Sequence, residues 1–593
     1  MRHNDFETER NAIFQHLSET FLARCDPADG LIHSEKYAGK DVSIHTRAAG
    51  YDIRAMAEAA TAWMMRGHEA KACQALDMVL DNQDLDEDSS TWGNFKWHSD
   101  WPMALDPNAA AFIVPNLWYL YQHAGEKLPA PLRERIRAAL RRAYDGIQAH
   151  CCTFLYTNIV LLNQASLLCI ADVLDWPRPR QVVGWAFEEW RNRIGHLGVL
   201  PEYNSLTYSA VDIHALAIML ACPAPEGLHA EVRALMRLLI AQALADYHPV
   251  IGRITGAQSR AYPADRRQRG HSCMDAIMRL VLPQTHGCEQ HYLAWLGVPI
   301  GAEDILPEAR QLPLPRHVRA WGGGQSRLNY LGADFALASI NGRGHWTGHA
   351  LPFFLAYASS NRRCGLPILP REAAKVEAHA ADQQDGTLLG SCCWLKKRSD
   401  KDTTSNRNFS GLNTGTPDNL LDASFRPGFF LELDGPEGRL ELFDGNGDPA
   451  PTGRVPGDIL LIRTDTLLVG LRFLSPSGAP RLILAEDADG ERALEAEGPG
   501  EALAINDLEA AVTLAFLLEV MPREAMPIRA LGAALQAGSW AFRPAAVGWE
   551  LSGRSPGGKA LRVTIDAQPA CFWDFPGSHL SANAWCHRLQ SAT

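Results

Sequence analysis

Apolar residues recur at helical spacing from the N-terminus to about residue 300, with turn-forming residues between the periodic segments. The segment TNIVLLNQASLLCIADVLD is apolar on nearly all sides, which predicts a helix buried inside a layered assembly of helices. A ring of helical hairpins fits this pattern. The predicted helices cover residues 5–24, 51–66, 68–82, 108–124, 130–148, 157–175, 179–194, 207–221, 227–247 and 271–283.

The hydrophobic pattern changes after a proline-containing stretch at residues 304–320. Beyond it, short segments that alternate or run apolar are bounded by Gly, Pro, Asp and Asn, which predicts antiparallel β-structure in stacked sheets. We therefore expect a helical domain at 1–305, a linker at 306–319 and an antiparallel β-domain at 320–593. The predicted strands include ADFALASI, GFFLELDG, GRLELFDG, GDILLIRTDTLLVGLRFL, PRLILAED, GWELSG and ALRVTID.

Two segments of the β-rich part carry more specific predictions. Pro436 and Glu437 separate GFFLELDG from GRLELFDG, which predicts a hairpin. Residues 372–418 are polar, with clusters of Asn, Ser, Thr and Gly, which predicts a long irregular segment. Such a segment is either a functional loop or a surface insertion.

Composition and charge exclude several classes of protein. The chain has 593 residues with 46% hydrophobic and 21% charged residues, which is typical of ordered globular domains. Its formal net charge of -12 argues against broad binding to nucleic acid or to anionic membranes. The charged N-terminus lacks the apolar core of a signal peptide, so we expect a soluble, cytoplasmic protein. The 13 cysteines show no CxxC spacing and are predicted to be reduced.

The first candidate for chemistry is the tryptophan-rich stretch at residues 91–108. Indole rings stack on the C–H faces of sugars, and the polar groups between them bind hydroxyls. This stretch therefore predicts a sugar-binding wall, with a loop anchored in the hydrophobic core as the alternative. The residues concerned are Trp92, Asn94, Trp97, His98 and Trp101.

Two further candidates lie where helices are predicted to begin. Asn158 follows Tyr156 and Thr157 at the entrance of the apolar helix, where its amide either caps the helix or donates to a ligand carboxylate. The stretch EYNSLTY precedes the next buried helix and places Glu202, Tyr203, Asn204 and Tyr208 near a cleft. Ser205 and Thr207 are candidate N-caps there. His214 lies inside the predicted helix, where a histidine is more often a core residue than a catalytic one.

The strongest local concentration of positive charge is at residues 251–272. Arginine presents a planar fork that suits a carboxylate, so an anionic substrate is expected to bind here. Arg260 and Tyr262, within GAQSRAY, look less like generic surface, and Arg253 is a further candidate for substrate binding. For Arg266 to Arg269 a solvated basic loop is the alternative.

A glycine-flanked stretch, NGRGHWTGH, opens the β-rich part and contains His345 and Trp346. Glycine permits close approach of the backbone to a ligand, and His345 is a candidate to reach a cleft between the domains. The His345 to His349 spacing would suit zinc on a helix, but the intervening glycines disfavour that helix, and no metal site is predicted. Phosphate-binding, dinucleotide, GxSxG and HExxH motifs are absent from the sequence.

Taken in this order, the motifs resemble those of the (α/α)-toroid polysaccharide lyases, the group of the chondroitin AC-type and heparinase II/III-type lyases. The motifs are Thr157-Asn158, Glu202 to Tyr208 and Ser259 to Tyr262. The resemblance implies an incomplete N-terminal (α/α) toroid followed by a C-terminal antiparallel β-sandwich. It also implies a substrate that is an acidic oligo- or polysaccharide, with no cofactor and no nucleic-acid or membrane partner. The oligomeric state stays open, with a homodimer as one option.

The resemblance also implies roles for individual residues. Asn158 would neutralise the carboxylate of a uronic acid, Tyr208 would act as base and acid, and Arg260 would be a second carboxylate ligand. The histidine that usually precedes the catalytic tyrosine is missing between Glu202 and Thr207. Its replacement would be one of His98, His214, His271, His345, Tyr203 and Tyr262.

Physical chemistry supports this mechanism independently of the resemblance. Removing the proton beside a carboxylate develops an enolate, whose charge must be met by fixed donors or cations. A tyrosine has an ordinary pKa of about 10, and an adjacent arginine lowers that pKa because it stabilises the phenolate.

Two classes of enzyme and one class of binding protein fit these observations. The preferred hypothesis is a lyase that cleaves a glycosidic bond at C4 of a uronic acid by β-elimination and leaves a 4,5-unsaturated product. The alternative is a glycoside hydrolase on the same scaffold, in which Glu202 pairs with Asp100 or Asp212. Such a pair is separated by roughly 5 to 5.5 Å or roughly 6.5 to 9.5 Å, depending on stereochemistry. The third is a carbohydrate-binding protein without catalysis.

Overall fold

The structure is a computed structural model with a helical N-terminal half and β-sheets in the C-terminal part. It describes residues 3–34, 50–150, 152, 154–195, 200–261, 272, 274–275, 277–278, 313–322, 325–342, 351–359, 362–371, 376–394, 424–425, 427–433, 440–486, 492–499, 503–504, 512–544 and 549–565.

Helices fill the N-terminal half, as the periodicity predicts. Nine of the ten predicted helices are present with ends within two residues of the prediction, and the tenth, 271–283, lies largely outside the described residues. The observed helices are α1 His3–Arg24, α2 Ile53–Met65, α3 Glu69–Asp81, α4 Ala109–Ala124, α5 Ala130–Ala149, α6 Thr157–Leu174, α7 Pro177–Gly195, α8 Tyr208–Ala221 and α9 Leu228–Asp246.

From α2 onwards, buried and half-exposed helices alternate along the chain. Helices α2, α4, α6 and α8, here called the inner helices, are buried along most of their length, and each packs on the next. The helices between them bury one face against the inner helices. Since each inner helix is separated from the next by one returning helix, all four run in the same direction.

Contacts between the inner helices confirm this parallel arrangement. Asn108, directly before α4, donates through Nδ2 to the hydroxyl of Tyr156, directly before α6, at 3.3 Å. Thr61 of α2 donates to Asn116 of α4 near the middle of both helices. The four N-termini therefore lie at one end of the helical assembly, together with the loops that precede them.

The C-terminal part is an antiparallel, nearly closed β-structure followed by a small three-stranded sheet. Its described residues also include a helix, α10, Ile528–Ala537. The strands, with the short pair β1 and β2 of the helical half, are β1 Tyr247–His248, β2 Arg253–Ile254, β3 Arg316–Gly322, β4 Gln325–Leu331, β5 Phe335–Gly342, β6 Phe353–Ser359, β7 Arg362–Pro370, β8 Val376–Gln384, β9 Thr387–Trp394, β10 Ser424–Phe425, β11 Gly428–Leu433, β12 Glu441–Asp444, β13 Gly453–Val455, β14 Ile459–Arg463, β15 Leu467–Leu474, β16 Arg481–Glu486, β17 Arg492–Glu497, β18 Leu503–Ala504, β19 Val512–Pro522, β20 Trp540–Pro544, β21 Trp549–Arg554 and β22 Ala560–Ile565.

The large sheet folds over so that its two halves share one hydrophobic core. One run of strands follows the order β12, β14, β15, β19, β9, β8, and the other follows β5, β6, β7, β11, β17, β16, β13. Phe516 of β19 meets Phe353 of β6 at 5.0 Å and Phe429 of β11 at 5.1 Å between ring centroids, each ring edge towards the other's face. A second core on the outer side is covered by α10 and by strands β20 to β22.

Three predictions for the β-rich part need correction. The hairpin about Pro436 and Glu437 is wrong, because β11 pairs with β7 and β17 while β12 pairs with β14. Part of the predicted irregular segment, 376–394, forms β8 and β9, joined at Asp385-Gly386, in the interior of the large sheet. The polar residues of β8 contact β22, where Asp382 accepts from the backbone N–H of Arg562 and Gln384 donates to the carbonyl of Ala560. Strand β3 begins at Arg316, inside the predicted linker.

Buried polar contacts join the helical half to the first strands of the sheet. Asp246 at the end of α9 accepts hydrogen bonds from Asn329 at 2.9 Å and from Arg327 at 3.2 Å, both on β4. Arg316 of β3 donates to the backbone carbonyls of Ala245 and Tyr247. These contacts fix the segment that follows α9 against the sheet.

One described helix, α6, is long and apolar enough to cross a membrane, but it is enclosed by α4, α7 and α8 and is a core helix of this fold. Free thiols occur throughout the described residues. The sulfurs of Cys169 and Cys222, for example, lie 3.8 Å apart and are not bonded.

Candidate functional site

Three of the predicted stretches lie on the loops that precede inner helices. Residues 91–108 lead into α4, Tyr156 stands before α6, and residues 202–207 lead into α8. Because the inner helices are parallel, these loops meet at one end of the helical half. The free backbone N–H groups of the helix N-termini make that end electropositive.

Glu202 is the centre of a buried polar cluster in this region. Its side chain is fully buried, and Oε2 accepts hydrogen bonds from the Thr157 hydroxyl at 2.8 Å and from the backbone N–H of Asn158 at 2.9 Å. The Asn158 amide nitrogen lies 2.6 and 2.7 Å from the two carboxylate oxygens. Arg260 Nη1 donates to Oε1 at 2.7 Å. The carboxylate therefore orders side chains from two distant segments, the start of α6 and the stretch around Arg260.

Arg260 in turn lies directly against Tyr208. The guanidinium carbon is 3.8 Å from the centroid of the Tyr208 ring and 5.6 Å from that of Tyr156. Tyr208 is the first residue of α8, its backbone N–H donates to Ser205 Oγ at 3.2 Å, and its side chain is partly exposed. The guanidinium thus makes a cation–π contact with the Tyr208 ring.

Asp212 lies one helical turn after Tyr208, on the same face of α8. Burial, and next the charge of Glu202, raise the pKa of the Asp212 carboxyl well above its ordinary value. The Thr157 hydroxyl near this carboxyl donates to Glu202. Burial therefore favours the protonated form of Asp212, one helical turn after Tyr208.

His214, two residues further along α8, is placed differently. Burial, with a smaller effect of the Arg54 charge, lowers the pKa of His214 to about 3. Its imidazole is therefore neutral at physiological pH and is a weak base.

The tryptophan-rich loop is anchored in the core of the helical half. Asn94 donates to the carbonyl of Pro107 at 2.7 Å and accepts from the backbone N–H groups of Phe95 and Ala110, so its amide fixes the start of α4. Trp97 and Trp101 are buried.

His98 and Trp97 make further contacts that fix this loop. His98 Nδ1 pairs with Ser34 Oγ at 2.6 Å, and its ring packs edge-on against Trp101. The guanidinium carbon of Arg54, on α2, lies 5.2 Å from the centroid of the Trp97 ring. Trp92 is half-buried. Trp97 and Trp101 thus anchor this loop in the hydrophobic core, which is the alternative interpretation of the stretch.

Tyr203 and Asn204 connect the helical half to the following segment rather than to the Glu202 cluster. Asn204 adopts a left-handed conformation with φ of 52°, and its amide donates to the carbonyls of Thr255 and Ala257. The positive φ of Gly256, 112°, and a Cβ position 2.7 Å from the Asn204 amide make glycine necessary there. Burial raises the pKa of the Tyr203 phenol, whose ring lies 5.3 Å from the Arg327 guanidinium.

Arg253 is fully buried on β2 and faces Asp275, whose carboxylate is 3.8 Å from its Nε. Arg363 of the sheet approaches the same carboxylate at 3.5 Å. This group belongs to the junction of the two halves. Tyr262, His271, His345 and Trp346 lie outside the described residues.

The structure therefore brings together Asn158, Glu202, Tyr208 and Arg260 from the predicted set. Sequence reasoning missed the central position of Glu202 and the place of Tyr156 beside Arg260. The signal for Tyr156 was its position directly before the Thr157-Asn158 pair. Within the described ranges, no group of three or more His, Cys, Asp and Glu side chains is placed to hold a metal ion.

Residues 35–295 match the family model described as "Domain of unknown function (DUF8769)". The match runs from before α2 to beyond α9 and includes all four residues of the cluster. No curated protein matches the chain.

Proposed function

We propose that this protein is a lyase that cleaves a glycosidic bond at C4 of a uronic acid by β-elimination and releases a 4,5-unsaturated sugar. The alternation of inner and outer helices supports an incomplete (α/α) toroid, and the shared core of the folded sheet supports a β-sandwich. The free thiols fit a reducing compartment, and we propose a cytoplasmic location.

The observation that carries the proposal is the Arg260 guanidinium 3.8 Å from the ring of a partly exposed Tyr208. Tyr208 sits at the end of the fold where four helix N-termini favour an anionic ligand. A phenol in this field is suited to remove a carbon-bound proton, because its conjugate base is stabilised by the cation.

In the proposed reaction, the Tyr208 phenolate takes the proton from C5 of the uronate. The developing enolate is stabilised by Arg260 and by the electropositive helix ends. Arginine has five N–H donors, and Glu202 accepts from the Nη1 nitrogen. The elimination completes when the C4–O bond breaks and C4 and C5 form a double bond.

Asn158 receives an indirect role in this proposal. Its side chain is fully buried, and its amide nitrogen donates to Glu202. The resemblance implies direct contact between this amide and the uronate carboxylate. The observed contacts favour a structural role, in which Asn158 and Thr157 hold Glu202 so that Glu202 orients Arg260.

Hydrolysis by the Glu202 and Asp212 pair is less well supported. Both carboxyl groups are fully buried, and Glu202 is enclosed by the donors of Thr157, Asn158 and Arg260. A hydrolase needs its carboxyl groups at the glycosidic bond. Asp100 is exposed but belongs to the anchored loop before α4.

A screen of acidic oligosaccharides read by the near-ultraviolet absorbance of the unsaturated product tests the proposal. Tyr208→Phe is expected to lower kcat by about 100-fold or more while substrate binding persists, because only proton transfer is removed. Tyr144→Phe is the matched control, since Tyr144 packs on Trp176 in the outer part of the helical half. Activity confined to neutral glycans, or full activity of Tyr208→Phe, would contradict the proposal.

A further inference from the structure

The elimination also needs a proton for the departing sugar oxygen, and the usual histidine before the catalytic tyrosine is absent from this chain. Resting on the proposed function, we infer that Tyr156 is the acid that donates this proton, with Tyr208 as the base. Tyr156 is the residue directly before α6 and faces the same guanidinium as Tyr208.

The contacts of Tyr156 carry this assignment. Arg260 lies between two phenol rings, 3.8 Å from the centroid of Tyr208 and 5.6 Å from that of Tyr156. The Tyr156 hydroxyl oxygen accepts a hydrogen bond from Asn108 Nδ2 at 3.3 Å. In the proposed step Tyr208, whose ring lies nearer the guanidinium, starts as the phenolate, and Tyr156 starts as the neutral phenol.

Other candidates within the described residues are held elsewhere. His214 is buried and neutral with a pKa of about 3. His98 is engaged by Ser34 and Trp101 in the loop before α4. Tyr203 lies against Arg327 of the sheet. Tyr156 is the described phenol other than Tyr208 that lies against Arg260.

The step balances without a further reactant. The C5–H bond breaks and its proton goes to the Tyr208 oxygen, while the C5 electron pair forms the C4=C5 double bond. The C4–O pair leaves on the oxygen, which takes the hydroxyl proton of Tyr156. The resulting Tyr156 phenolate is stabilised by the Asn108 N–H and by Arg260, and one proton returns from Tyr208 to Tyr156 through solvent.

The test compares two glucuronates that differ only in the group at O4. One carries a 4-O-alkyl group, whose oxygen needs a proton to leave, and the other a 4-O-(4-nitrophenyl) group, which leaves as a stabilised anion. Tyr156→Phe is expected to lower turnover of the alkyl compound by about 100-fold and that of the nitrophenyl compound by less than about 10-fold. Tyr208→Phe is expected to lower both equally.

Each outcome separates the inference from the proposed function. Equal loss on both compounds for Tyr156→Phe, or no loss on either, overturns the role of Tyr156 while the lyase activity of the unmodified protein stands. No unsaturated product from either compound with the unmodified protein overturns the proposed function itself. Tyr144→Phe controls for the loss of a phenolic hydroxyl, and circular dichroism checks that each variant is folded.

Discussion

Glu202 is the residue on which the geometry of the candidate site depends. It accepts hydrogen bonds from Thr157, Asn158 and Arg260, and it has no exposed surface. A buried carboxylate is stable only while its donors are in place. The same contacts fix the guanidinium against Tyr208.

Replacing this carboxylate by an amide tests its importance for stability. In Glu202→Gln, an NH2 group faces the donors of Asn158 and Arg260, and the buried guanidinium loses its counterion. We expect the free energy of unfolding to fall by about 3 kcal/mol, measured by urea denaturation. Glu189→Gln, which removes a partly exposed pair with Arg193 on α7, is expected to cost less than about 1 kcal/mol.

An equal loss in the two variants would contradict the central position of Glu202.

The residue types of the cluster follow from the sequence, but their pairing does not. Glu202 and Arg260 are 58 residues apart, and the local sequence around each residue does not indicate that they form an ion pair. Only the packing of α6 against α8 brings Thr157 and Asn158 to the same carboxylate.

At the scale of elements, helix positions followed from periodicity, because each helix buries either one stripe or its whole surface. Strand pairing did not follow, since segments with similar apolar patterns are interchangeable as partners. Strands β11 and β12 are consecutive in the chain yet pair with different neighbours. Strands β8 and β9 were not predicted, because the polar composition of residues 372–418 indicates an irregular segment.

Strand β19 contains a buried carboxyl group, Glu519, whose ionisation makes the stability of the fold depend on pH. Burial raises the pKa of Glu519 to about 7, although the Thr387 hydroxyl donates to it. The folded state thus binds a proton that the unfolded state releases above its ordinary pKa of 4.5. Stability contributed by this proton is complete below pH 4.5 and is lost as the pH rises through about 7.

Glu519→Gln removes this loss. We expect the variant to match the unmodified protein near pH 4.5 and to exceed it by about 3 kcal/mol at pH 8 in urea denaturation. Glu524→Gln, at an exposed position, is expected to show no such dependence on pH. A constant difference between Glu519→Gln and the unmodified protein across this range would contradict the buried position of the carboxyl.

At the scale of the whole molecule, the junction between the two halves holds the segment that carries Arg260. Asp246 binds Arg327 and Asn329 of β4, and the Thr255 hydroxyl donates to the Asp246 carbonyl. Gln258 pairs through its backbone with Leu351, two residues before β6. The position of Arg260 therefore depends on contacts with the sheet as well as on the helices.

Asp246→Ala is expected to weaken both the junction and the site. It leaves the buried Arg327 guanidinium without this carboxylate, so we expect a loss of about 3 kcal/mol in the free energy of unfolding and separate calorimetric transitions for the two halves. Asp77→Ala, which removes an exposed pair between α3 and Arg135 of α5, is the control and is expected to cost less than about 1 kcal/mol. A single unshifted transition for Asp246→Ala would contradict the coupling.

The central claim, that Tyr208 beside Arg260 removes a carbon-bound proton from an anionic sugar, is tested most directly by mass spectrometry of the product. The substrate is a glucuronate-containing disaccharide deuterated at C5, and the reaction runs in water enriched in oxygen-18. β-Elimination yields an unsaturated uronate that has lost the C5 deuterium and gained no heavy oxygen. A saturated product that keeps its deuterium and carries heavy oxygen would indicate hydrolysis and rule out proton removal by Tyr208.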